Sequence, residues 1–165
     1  VPLRKILHQV TGLPVIVEND ANCMGFAEWK CGAGRGFQHV VFISMGTGVG
    51  GAIIANGQMI RGARHGAGEI GQTSIDTKDG PAITEISARC GYVGNREITA
   101  TAHDAYRAAG IEKAFEECTP AALAAAAHLG DPVALAQWDA IGRMLATAAM
   151  NCCWLLNPEA IVIGG

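Results

Sequence analysis

Three short segments of this 165-residue chain hold residue types that could do chemistry together: Glu18-Asn19-Asp20, the glycine run Gly46-Thr47-Gly48-Val49-Gly50-Gly51, and Gly68-Glu69-Ile70-Gly71. Asp20 follows an apolar strand-like run and opens a helical pattern. A carboxylate at such a strand end can accept the proton of a hydroxyl as its oxygen attacks a phosphoryl group. Aspartate is equally a favoured helix N-cap, so both readings stand. Glu69 sits in a loop between small residues, where a ligand could approach closely and its vicinal hydroxyls could donate to the carboxylate. The plainer alternative is a solvated loop carboxylate.

Gly46, Gly48 and Gly51 satisfy the spacing of a dinucleotide-binding turn, but that device needs a helix to begin at the third glycine. Ala52-Ile53-Ile54-Ala55-Asn56-Gly57 reads instead as a strand and a tight hairpin. A Walker A loop is excluded because no Lys-Ser/Thr pair follows the glycines. Two readings remain: a Gly-Thr-Gly turn between antiparallel strands that cradles a phosphate, or a Gly-rich hairpin with no ligand. Two carboxylates beside a phosphate-type loop fit phosphorylation of a polyol.

The elements that must position these residues are legible in outline. Residues 3–11 form an amphipathic helix pattern, and Leu13-Pro14-Val15-Ile16-Val17 predicts a short buried strand. Asn19 or Asp20 could cap a helix running to Trp29–Cys31. Residues 39–45, 52–55 and 58–61 predict three consecutive antiparallel strands, the last two joined at Asn56-Gly57. Helices are predicted over 84–90 and 96–109. Thr119-Pro120 and Asp131-Pro132 each start a helix, with the cap residue just before proline. The second of these is long and carries Leu135, Trp138, Ile141, Leu145, Ala149, Cys152 and Leu156 as a packing stripe. Asn157-Pro158 ends it, and Ala160-Ile161-Val162-Ile163 predicts a buried strand.

Half of the residues are hydrophobic, enough for one core. Charged residues make up 16% and the formal net charge is -3, which argues against a nucleic-acid surface. No apolar stretch is long enough to span a bilayer. The six cysteines contain no C-x-x-C pair and read as buried free thiols of a reducing cytoplasm.

In order, Glu18-Asn19-Asp20-Ala21-Asn22, Ser44-Met45-Gly46-Thr47-Gly48-Val49-Gly50-Gly51, Gly68-Glu69-Ile70-Gly71 and Leu156 to Gly165 resemble the motifs of the ROK (repressor, ORF, kinase) family. The resemblance covers essentially the whole chain. It implies an α/β fold of the actin-like ATPase (ribonuclease H-like) type, with three antiparallel strands plus further strands flanked by helices. Residues 1–165 would be a partial C-terminal lobe, with the N-terminal lobe and its Asp-x-Gly-Gly-Thr phosphate motif outside the chain.

By motif match, Asp20 would be the catalytic base, Asn19 and Glu69 would bind the sugar, and Glu85 would stand for a further sugar-binding glutamate. Gly46, Thr47 and Gly48 would face the phosphates of ATP, with Mg²⁺, and Gly164 and Gly165 would lie near the adenosine. The implied activity is phosphorylation of a hexose or N-acetylhexosamine by the full-length protein, with little turnover by these residues alone. The alternative is the sugar-sensing module of a ROK repressor, whose partner would then be DNA. A homodimer is also implied as an option, with Cys152, Cys153 and Trp154 serving equally as core or interface. The sequence departs from the family where Gln72 replaces a histidine and only Cys90 stands in for a cysteine cluster. Four tetrahedral ligands cannot be assembled from these, so no zinc is expected.

Overall fold

The computed structural model describes residues 1–75 and 93–165. Glu85, Cys90 and the helix expected over 84–90 lie outside the described residues. The described elements run α1 (Leu3–Thr11), α2 (Asp20–Cys31), β1 (Val40–Met45), β2 (Val49–Ala55), β3 (Gln58–Met59), α3 (Asn95–Ala108), α4 (Pro120–His128), α5 (Pro132–Leu156) and β4 (Ala160–Gly164).

The four strands form one sheet in the order β3-β2-β1-β4. β1, β2 and β3 pair antiparallel as the sequence predicts, and β4 joins β1 in parallel. Asn56 and Gly57 both have positive φ (51° and 65°), the geometry of a type I′ hairpin turn. Glu159 fixes the open end of the parallel pair. Its carboxylate accepts hydrogen bonds from the amides of Gln38 (2.6 Å) and His39 (2.9 Å), which hold it below the usual glutamate range.

Side chains alternate across β1 and divide the core in two. Val40 and Phe42 pack with Ala52, Ile54 and Val162 against Trp29 of α2. Val41 and Ile43 point the other way, into a larger cluster with Val49, Ile70, Tyr106, Leu123, Ala134 and Ile141. The sheet is therefore covered on both faces, by α2 on one and by α3 and α5 on the other, with α4 packed against those two helices. Removing each of these large apolar side chains from water stabilises the fold by roughly 1.5–3 kcal/mol.

The helix starts follow the predicted chemistry. Thr119 Oγ1 accepts from Ala122 N, and Asp131 Oδ1 accepts from Val133 N and Ala134 N. Asn157, left-handed at φ 44°, ends α5.

Four expectations need correction. Residues 13–17 form no strand: they have no ladder partner among the described residues, and Leu13, Ile16 and Val17 are exposed. The stripe on α5 holds at Trp138, Ile141, Leu145, Ala149 and Cys152, which are buried in or packed against the larger core cluster, but Leu135 and Leu156 are exposed and Ala134 and Ala148 are buried in addition. β2 begins at Val49, so Gly50 and Gly51 are strand residues and not turn residues. The cysteines are not uniformly buried: Cys118 and Cys152 are, whereas Cys23, Cys31 and Cys153 are exposed.

Candidate active site

The N-terminus of α2 is shaped by a division of labour between Asn19 and Asp20. Asn19, in an extended conformation, is the N-cap, and its Oδ1 accepts from Asn22 N at 3.0 Å. Asp20 is thereby the first helical residue and is released from capping. Among the described residues, its Oδ1 accepts from the adjacent Ala21 N, at 2.9 Å. Glu18 braces this turn from behind. Its Oε1 accepts from Asn19 N and from Asn22 Nδ2, both at 3.1 Å, and Arg61 Nε donates to its Oε2 at 2.5 Å. The Arg61 bond, followed by those from Asn19 and Asn22, holds the Glu18 carboxyl down at about 2.

Between β1 and β2, Gly46 N donates to Gly48 O (2.8 Å), and Gly46 O accepts from Asn95 N at the start of α3 (2.9 Å). Gly46 borders open space, since a Cβ placed there would meet nothing within 4 Å. Gly51 is the opposite case. A Cβ there would lie 2.6 Å from both Gly68 O and Ile70 Cδ1, and one on Gly71 would collide with Val49 O. The glycine run thus does two jobs: its first part forms an open turn, and its last part lets the Glu69 loop dock on β2.

These elements converge on a cleft of about 570 Å³ lined by Asn19, Asp20, Gly46, Thr47, Gly48, Glu69 and Gly165, together with Ala21, Met24, Ser44, Met45, Val49 and Gly50. Seven of the nine residues singled out in the sequence line it. Gly164 does not; it ends β4 beside Ser44. Glu85 is outside the described residues. Ser44 and Met24 line the cleft without having been singled out. Ser44 belongs to the quoted glycine motif, but Met24 is distinguished only by its position one turn after Asp20. Glu18 and Arg61 carried no separate signal, because their pairing spans 43 residues.

Two carboxylates and an open glycine turn facing one space are groups that phosphoryl transfer to a hydroxyl could use. Among the described residues, no three His, Cys, Asp or Glu side chains gather as a metal site requires. No described helix is long and apolar enough to cross a membrane.

Comparison with known proteins gives the family and the fold. The model of the ROK family matches residues 1–165. The chain is 37% identical to a glucokinase of Halalkalibacterium halodurans, over 99% of this chain and 52% of that protein. Among solved structures, a ROK family glucokinase from Streptomyces griseus in complex with glucose and AMPPNP superposes with a TM-score of 0.84 at 29% identity, covering 99% of this chain and 56% of that one. A ROK family transcriptional regulator, a homolog of the E. coli MLC protein, superposes with a TM-score of 0.81 at 27% identity, covering 99% and 42%. The chain spans about half the length of the curated relatives it matches.

Proposed function

The chain belongs to the ROK family and has its actin-like ATPase fold, and from that premise we propose that the full-length protein is an ATP-dependent sugar kinase. The observation that carries this reading is the placement of Asp20, freed from capping by Asn19, in one cleft with Glu69 and the open Gly46-Thr47-Gly48 turn. Residues 1–165 are in this reading most of the lobe that supplies the base and the second phosphate loop.

Asp20 takes the proton from the attacking sugar hydroxyl, raising its nucleophilicity as its oxygen bonds to the γ-phosphorus and the bond from that phosphorus to the bridging oxygen breaks, ADP being the leaving group. Asn19 uses its Nδ2 as a donor to the sugar, since its Oδ1 is committed to Asn22. Glu69 accepts from vicinal hydroxyls, a role proposed for Glu85 as well. ATP, when bound, supplies the phosphoryl group. The Thr47 hydroxyl and the amides of Thr47 and Gly48 are the turn's donors to its phosphates, and Gly46 contributes close approach. Gly165 lies on the adenosine side of the cleft, with Gly164 behind it. Mg²⁺ bound with the nucleotide would supply positive charge beside its phosphates.

The substrate class is a hexose or N-acetylhexosamine, with glucose first among candidates because the similar proteins are glucokinases. Likeness to the ROK transcriptional regulator favours a second reading, a sugar sensor. A coupled ADP-release assay of the full-length protein across hexoses and N-acetylhexosamines separates the two. Sugar-dependent ADP release supports the kinase; saturable sugar binding without release supports the sensor.

A further inference from the structure

The two sides of the proposed sugar site come from distant parts of the chain. Asn19 and Asp20 start α2, whereas Glu69 follows β3 through a long loop. Arg61 is the stem of that loop. Ile60 N makes a bond back to Ile53 O (2.8 Å), and Arg61 O accepts from Ala67 N (3.1 Å), closing residues 62–66 into a turn that delivers Gly68-Glu69. From this stem the Arg61 guanidinium reaches Glu18, and the other oxygen of Glu18 holds Asn19 N and Asn22 Nδ2. Neither Glu18 nor Arg61 lines the cleft.

We propose that Glu18 and Arg61 form a positioning clamp that fixes the first turn of α2 against the stem of the Glu69 loop and so sets sugar affinity without touching sugar. This rests on the kinase reading for the identity of the ligand. The pair is poorly suited to a purely stabilising role. The pair is part-exposed, with 44% of the Arg61 side chain and 17% of the Glu18 side chain open to solvent, so solvent screens it and its contribution to folding is modest. Its effect is geometric, because a small misplacement of substrate-holding groups lowers affinity and rate strongly. The far end of the Glu69 loop is already fixed by the glycine contacts on β2, so the clamp governs the near end.

The test uses the full-length protein with Arg61→Ala, Arg61→Lys, Glu18→Gln and the Glu18→Gln/Arg61→Ala double variant. Sugar Kd and KM are measured beside the KM for ATP and the melting temperature. For Arg61→Ala, sugar Kd and KM should rise about tenfold, a size typical of coupled neighbouring groups, with ATP KM unchanged and melting at neutral pH only slightly lowered. Arg61→Lys should recover part of the loss, and the double variant should be no worse than Arg61→Ala alone. Sugar binding within twofold of wild type in Arg61→Ala, or single effects that multiply in the double variant, overturns the clamp alone. A wild-type protein that neither binds nor phosphorylates sugar overturns both the clamp and the kinase reading.

Discussion

At the scale of single residues, the candidate site depends on how three adjacent side chains at the start of α2 share their hydrogen bonds. Glu18 braces, Asn19 caps, and Asp20 is left in the cleft. The sequence left open whether Asp20 was a cap or a base, because both residue types are good caps and only the backbone geometry assigns the role. Glu18 also predicts a pH response. Its carboxyl is depressed from an ordinary 4.5 to about 2, so the folded state binds this proton less readily than the unfolded chain. The stabilisation is therefore complete above 4.5 and is lost as pH falls from there through about 2. Glu159 and Asp131, lowered by their backbone hydrogen bonds, act in the same direction. Melting of the full-length protein should fall across this acid range, with a shallower fall in Glu18→Gln. An equally steep fall in that variant would contradict the assignment.

At the scale of elements, the fold was legible wherever local chemistry dictates it. Asn56-Gly57, Thr119-Pro120 and Asp131-Pro132 each appear where expected, because turn and cap residues act on their own neighbours. The expectation for residues 13–17 failed for a complementary reason. An apolar β-branched run becomes a strand only when a partner strand is present, and no local signal reports that. The glycine run was legible as a loop but not as two functions, since Gly51 and Gly71 matter through contacts distant in sequence. Substitution separates them. Gly51→Ala should destabilise the protein, by roughly 1–3 kcal/mol as overpacking does. Gly46→Ala, with open space around it, should leave melting unchanged and raise the KM for ATP. Equal melting losses in both would contradict the division. Leu123→Ala, at a buried position where α4 packs against α3 and α5, should cost about 2–5 kcal/mol in denaturant unfolding while the KM for sugar stays constant.

At the scale of the whole molecule, no other described element covers the apolar surface of α1 and the segment that follows it. No residue of α1 is buried, and residues 14–17 line an apolar groove beside it. The relatives are about twice as long as this chain. A phosphoryl-transfer cleft works by excluding water around the reacting groups, so turnover is expected of the full-length protein and not of these 165 residues alone. Robust sugar-dependent ADP release from the isolated chain would contradict that. The central claim is that Asp20 is the base of a sugar kinase, and Asp20→Asn in the full-length protein tests it most directly. The account predicts that kcat for sugar-dependent ADP release falls by about 10²–10⁴-fold, the range for losing a general base, while sugar still binds. A variant that turns over sugar as fast as the wild type would contradict it.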